Sequence, residues 1–217
     1  MPLPFSAVLL AAGRSTRMGC DKALLEVAHA GGRAPLWRRQ RDVLARAGTA
    51  EIFLSARADQ AWAHAPENAG NFSGVVRDAT PDAGPLAGLV AALERATQPH
   101  CAVLAIDLAA MEAAWFAALR GDGAAGIGAV GMRATENAGP GAGARGFFEP
   151  LAAIYPRELL PAARAALADG RRSLQTLLAD AVACGAMRVR EISDHEAGWF
   201  GNWNAPADLA PRGAAGA

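Results

Sequence analysis

The sequence predicts a three-layer α/β/α architecture on a mostly parallel sheet. Three observations carry this. Phe5 to Ala12 is a continuous apolar run, as expected of a strand buried on both faces. Apolar segments of strand length then alternate with segments of helical period along nearly the whole chain. A second buried run, Cys101 to Ile106, delivers Asp107 at its carboxyl end, the edge where such sheets bind ligands. The 217 residues suffice for one sizeable core, and residues 1–217 are read as one domain.

The elements follow in order. After the first strand, Pro35 to Ala47 reads as a helix, with Leu36, Val43 and Leu44 on one side. Glu51 to Ala56 is a second strand and Gly74 to Arg77 a short third. Gly84-Pro85 opens a helix whose Leu86, Leu89, Val90 and Leu93 follow the i, i+3, i+4, i+7 pattern. Beyond Asp107 a helix spans Met111 to Leu119. Ile127 to Met132 and Phe147 to Tyr155 read as strands, Arg157 to Ala168 and Ser173 to Ala183 as helices. Met187 to Ile192 is the last strand and Pro206 to Leu209 a short terminal helix. This alternation of strands and helices predicts a Rossmann-like, mostly parallel sheet with helices on both faces. Two segments look loose, His29 to Pro35 as a glycine-rich turn and Ala134 to Gly146 as a flexible loop. The tail, 211–217, reads as frayed.

Composition excludes several classes. Basic and acidic residues balance at 21 each, so no global field favours nucleic acid or an anionic membrane. No apolar run reaches the roughly 18 residues that a membrane span needs. Cys20, Cys101 and Cys184 are widely spaced and make no zinc pattern. Their odd number, with no signal peptide, points to a reducing cytoplasm. The histidines His29, His64, His100 and His195 fall in predicted turns or helix ends and are read as solvated.

The stretch after the first strand carries the chemistry. Gly13 and Gly19 bracket a turn with Arg14, Ser15, Thr16 and Arg17, and Lys22 follows. Lys22 is the sole lysine; every other basic side chain is arginine. Lysine is a compact, rotatable point charge, whereas arginine is a rigid fork. A glycine turn here lets backbone N–H groups approach a phosphate. The spacing is neither a Walker A loop nor the dinucleotide G-x-G-x-x-G. By residue type alone, Asp78 could equally cap a turn and Asp107 a helix.

The pattern L-x-A-G-x-S-x-R-M-G-x-x-K, from Leu10 to Lys22, resembles the signature of nucleotidyltransferases with the nucleotide-diphospho-sugar transferase fold. "PLW" at Pro35, "GPLAGL" at Gly84, "EPLAAIY" at Glu149, "RRSLQTLL" at Arg171 and "FGNWNAPADL" at Phe200 are similar to motifs of the molybdenum cofactor guanylyltransferase family. The resemblance implies transfer of GMP from GTP to the phosphate of molybdopterin, with Mg²⁺ and release of pyrophosphate. It implies nucleotide contacts from Leu10, Ala11, Ala12, Gly13, Ser55 and Asp78. Arg17 and Lys22 would hold the triphosphate, Asp107 the magnesium, and Asn202 and Asn204 the acceptor. Molybdoenzymes or other cofactor-maturation proteins are the implied partners.

Three departures qualify the match. Ala12 replaces a glycine and looks more like cytidylyl-transferring relatives, which keeps CTP as the alternative substrate; a small-phosphate nucleotidyltransferase is a further one. Ala109 stands where the family has proline, so the loop after Asp107 is expected to be less rigid. Ser55 stands for an asparagine. Glu149 faces either the acceptor or solvent.

Overall fold

The computed structural model describes residues 4–15, 19–29, 31–77, 84–121, 127–134 and 146–203. The first strand, β1 (Phe5–Leu10), is followed by a 3-10 turn (Lys22–Leu24) and a hairpin of β2 (Glu26–His29) and β3 (Gly32–Pro35). Next come α1 (Leu36–Arg46), β4 (Glu51–Ser55), the short α2 (Ala61–His64) and α3 (Pro66–Ala69), and β5 (Gly74–Val76). Then follow α4 (Pro85–Arg95), β6 (His100–Ala105), α5 (Ala113–Gly121), β7 (Gly128–Ala134), β8 (Gly146–Phe148) and β9 (Ala152–Pro156). The described chain closes with α6 (Leu160–Ala168), α7 (Leu174–Ala183), β10 (Met187–Glu191) and α8 (Asp194–Ala197).

The main sheet has the order β10-β7-β9-β6-β1-β4-β5, with β8 paired to β7. β1 is parallel to both β4 and β6, β4 to β5, and β7 to β10. β9 runs antiparallel between β6 and β7. The sheet is therefore mostly parallel, and β9 and β8 are its reversed members.

Alternate residues of the buried strands feed two cores, as strand periodicity requires. Phe5, Ala7 and Leu9 pack with Leu36, Trp37, Val43 and Leu44 of α1 and Trp115, Phe116 and Leu119 of α5. Val8 and Val103 face the other way, toward Leu86, Leu89 and Leu93 of α4, Ala163 of α6 and Leu177 of α7. Each fully buried leucine contributes about 1.5–3 kcal/mol by leaving water.

Three expectations need correction. The segment His29 to Pro35 is not a loose turn. Its second half is β3, whose pairs Val27↔Ala34 and Ala28↔Arg33 close a hairpin, with Gly31 and Gly32 at positive φ making the turn. His100 is not solvated: it starts β6, is 4% exposed, and its Nε2 lies 3.1 Å from the Ile127 carbonyl. His29 Nε2 is 3.0 Å from Asp42 and His64 Nε2 is 2.9 Å from the Arg57 carbonyl, while His195 is exposed. The loop after Asp107 is well held without its proline. Leu108, Ala109 and Met111 are buried, and α1 grips the loop through two side chains. The buried Gln40 donates to the Leu108 carbonyl at 2.6 Å, and Arg39 donates to that of Met111 at 3.1 Å. The terminal helix at 206–209, the tail and the interior of the loop at 134–146 lie outside the described residues.

Candidate active site

A cleft of about 730 Å³ opens at the carboxyl ends of β1, β4, β5 and β6. β1 delivers Leu10, Ala12, Gly13 and Ser15; β4 delivers Ser55 and Arg57; β5 delivers Arg77; β6 delivers Asp107. β9 runs the other way, so its start reaches the same edge, and Leu151 joins the lining. Gly84, just before α4, and Pro85 and Gly88 of α4 also line it.

Lys22 and Asp107 meet in this cleft. Lys22 Nζ lies 4.0 Å from Asp107 Oδ2, with side-chain exposures of 12% and 27%. Local chain geometry places the lysine. Asp21 caps the 3-10 turn by accepting from the Ala23 N–H at 3.0 Å, and the Lys22 N–H donates to Ser15 Oγ at 3.3 Å. Ser15 has φ +48°, a left-handed conformation that costs a non-glycine residue energy and that the loop holds in place.

Asp107 is not a helix cap. α5 begins at Ala113, beyond the intervening loop, so the carboxylate stays directed to the cleft. Its backbone carbonyl accepts from the Trp203 N–H at 2.9 Å, tying Trp203 to this edge.

Of the residues singled out from the sequence, Leu10, Ala12, Gly13, Lys22, Ser55 and Asp107 line one cleft. Ala11 does not. Its side chain is 1% exposed in the core, its N–H donates to the Ser55 carbonyl, and its own carbonyl accepts from Gln60. Asn202 is exposed and off the cleft lining, one residue from the Trp203 bond to Asp107. Arg17, Asp78 and Asn204 lie outside the described residues.

Glu149 turns out to pair with Arg133, whose guanidinium also donates to the Phe200 carbonyl at 3.0 Å. Burial raises the Glu149 pKa, and Arg133 opposes that rise. Tyr155 of the same motif is structural: its buried hydroxyl donates to the Pro150 carbonyl at 2.8 Å.

Sequence reasoning missed the supports of the loop. Arg57 Nη1 donates to the carbonyls of Ala12 and Gly13, each at 2.7 Å. Gln60 Nε2 donates to Ala11 O at 3.0 Å and Asp21 Oδ2 at 2.8 Å. Trp62 Nε1 donates to the same Asp21 oxygen at 2.8 Å. No periodicity marks a buried glutamine, because its value lies in hydrogen bonds made far along the chain.

Comparison with known proteins agrees with this geometry. Residues 7–184 match the family model described as MobA-like NTP transferase domain. A relative named "Probable molybdenum cofactor guanylyltransferase" in Opitutus terrae is 39% identical over 207 residues, covering 94% of this chain and 92% of that protein. The molybdenum cofactor guanylyltransferase of Pseudomonas fluorescens is 34% identical over 181 residues, 79% of this chain and 78% of its own. The fold is shared with the solved molybdopterin-guanine dinucleotide biosynthesis protein A from Archaeoglobus fulgidus, at a TM-score of 0.67 over 94% of each chain and 19% identity. With its glycine loop, lysine and aspartate gathered in one cleft, the chain belongs to the MobA-like NTP transferase family of nucleotidyltransferases.

Proposed function

We propose that this chain transfers the GMP moiety of GTP to the phosphate of molybdopterin, releases pyrophosphate, and uses Mg²⁺. The observation that carries the reading is the approach of Lys22 Nζ to Asp107 Oδ2, 4.0 Å, at the mouth of a glycine-rich loop. Relatives named as guanylyltransferases support GTP over CTP, despite Ala12 in the cleft lining.

The residues fit the chemistry. A phosphate-monoester oxygen is already nucleophilic near neutral pH, so the task is alignment and charge neutralisation. The N–H groups of the loop from Gly13 to Ser15 would receive phosphate oxygens. Lys22 would neutralise charge that builds on the departing pyrophosphate. Among the described residues no group of three or more His, Cys, Asp or Glu comes together as a metal cage. One partly exposed carboxylate, that of Asp107, suits Mg²⁺, which keeps several waters and takes its remaining ligands from phosphates. When bound, the ion supplies further withdrawal of charge from those oxygens.

Asn202 and Asn204 are the proposed acceptor contacts; in support, the Trp203 N–H bond to the Asp107 carbonyl holds Trp203, the neighbour of Asn202, beside Asp107. The free thiols Cys20, Cys101 and Cys184 suit a reducing cytoplasm, and among the described residues no helix is long and apolar enough to cross a membrane.

The test is pyrophosphate release from GTP and from CTP, with molybdopterin and Mg²⁺ present. GTP should be used at least ~10-fold faster, a difference of about 1.4 kcal/mol in the barrier. Equal or faster use of CTP would overturn the substrate assignment.

A further inference from the structure

Gln60 sits behind the phosphate loop, away from the cleft lining, and is 3% exposed. Its amide orientation is fixed by its partners. Oε1 accepts from the Arg57 N–H at 2.7 Å, so Nε2 faces the Ala11 carbonyl and the Asp21 carboxylate and donates to both. These bonds join three chain segments: the end of β1, the turn that carries Lys22, and the connection after β4. Together with the Trp62 indole, which donates to the same oxygen, Gln60 holds Asp21 in place, and through its neighbour Lys22; of the two, only Gln60 also ties Asp21 to the end of β1.

Arg57 extends the same device. Its Nη1 draws the carbonyls of Ala12 and Gly13 to one side. In a planar trans peptide the C=O and the following N–H point in opposite directions. The N–H groups of Gly13 and Arg14 are therefore turned away from Arg57. The Gln60 bond to the Arg57 N–H, and the ion pair of Arg57 Nε with Asp59 at 2.9 Å, fix where that guanidinium starts from.

We infer that Gln60 is a positioning residue for the transfer reaction, holding Lys22 and the Arg57-clamped loop amides in register for a nucleotide's phosphates. This rests on the function proposed above and extends it to a residue that touches no substrate.

The sole lysine makes the inference measurable. Lysine labelled with ¹³C at Cε alone gives one side-chain resonance, that of Lys22. Gln60→Glu keeps the shape but replaces a two-proton donor by an acceptor facing Asp21 and the Ala11 carbonyl. The charged groups around it are Asp21, the Arg57–Asp59 pair and Lys22, with His64 on the Arg57 carbonyl. Burial and the like charge of Asp21 favour the protonated form of the introduced carboxyl. Protonated, it still donates one bond; ionised, it repels Asp21. The variant should therefore work at low pH and fail as pH rises, opposite to a proton-independent packing defect.

The expected result is a Lys22 resonance displaced from its wild-type position at pH 8 and returning toward it near pH 6. kcat should follow the same titration, about 10²-fold below wild type at pH 8. Gln60→Met removes all three bonds without a titrating group, and should show the displacement and the loss at every pH. Should Gln60→Glu not fold, Gln60→Met carries the test. A Lys22 resonance and kcat unchanged in either folded variant would overturn the inference, as would a loss in Gln60→Glu independent of pH. If wild type itself fails to use GTP, the proposed function falls, while the ligand-free Lys22 resonance still decides the role of Gln60.

Discussion

Lys22 is placed by its backbone before its charge is used: the Asp21 cap and the Ser15 hydroxyl fix the turn, and the side chain then reaches Asp107. Its removal should cost catalysis and spare the fold, because the side chain is not part of either core. Lys22→Ala is expected to lower kcat by at least about 10²–10³-fold, comparable to losing one preorganised charge-stabilising donor. Asp107→Ala should do the same and should also abolish the dependence on Mg²⁺. Pyrophosphate release, with circular dichroism as the control for folding, checks both. At this scale the sequence was informative where a side chain's type was unusual. A lone lysine after a glycine turn could be read directly. Gln60, Gln40 and Arg57 could not, since their partners are carbonyls brought near only by the folded sheet.

Short elements and termini decide more of the site than the long helices do. Gly84, the residue before α4, has φ +77° and ψ −168°, a region open essentially to glycine, and it lines the cleft. Gly84→Ala is expected to destabilise the fold by about 1–3 kcal/mol and to weaken nucleotide binding, which denaturant melts and GTP titration would read. Near the end of the described chain, Ser193 and Glu196 form a capping box on α8. The bond from Arg190, with help from Ser193, holds the Glu196 carboxyl near pKa 2, against an ordinary 4.5, although burial pushes the other way. A depressed carboxyl pKa gives stability that is fully present above the ordinary value and is lost as pH falls through the folded one. Glu196→Gln should therefore be less stable than wild type at pH 7, with the gap closing between pH 4.5 and pH 2 in melts across that range. Long apolar or periodic elements such as β1, α1, α4 and β6 were legible from sequence to within a residue or two. The β2–β3 hairpin was not, because its strands are four residues each and carry two glycines at the turn. No local pattern marks such a pair.

Across the whole molecule, the reversed strand β9 was the feature least visible in advance. Its composition reads as a buried strand in either direction, and only pairing with β6 and β7 sets its sense. That reversal brings Leu151 to the cleft, and Trp115 locks the arrangement. The Trp115 indole donates to the Ala152 carbonyl at 2.8 Å, meets Phe200 edge-on at 4.9 Å, and lies under the Arg190 guanidinium at 5.1 Å. Trp115→Ala is expected to cost about 3–5 kcal/mol, seen as a lower denaturation midpoint. The loss should spread to the site, because Phe200 leads into the segment bonded to Asp107.

The proposed function requires one cleft to grip a nucleotide's phosphates between Lys22 and Asp107. Calorimetric titration of wild type, Lys22→Ala and Asp107→Ala with GTP, with and without Mg²⁺, tests it most directly. Wild type should bind GTP in a Mg²⁺-dependent way, Lys22→Ala more weakly, and Asp107→Ala without Mg²⁺ dependence. Wild-type affinity and unchanged Mg²⁺ dependence in both variants would contradict it.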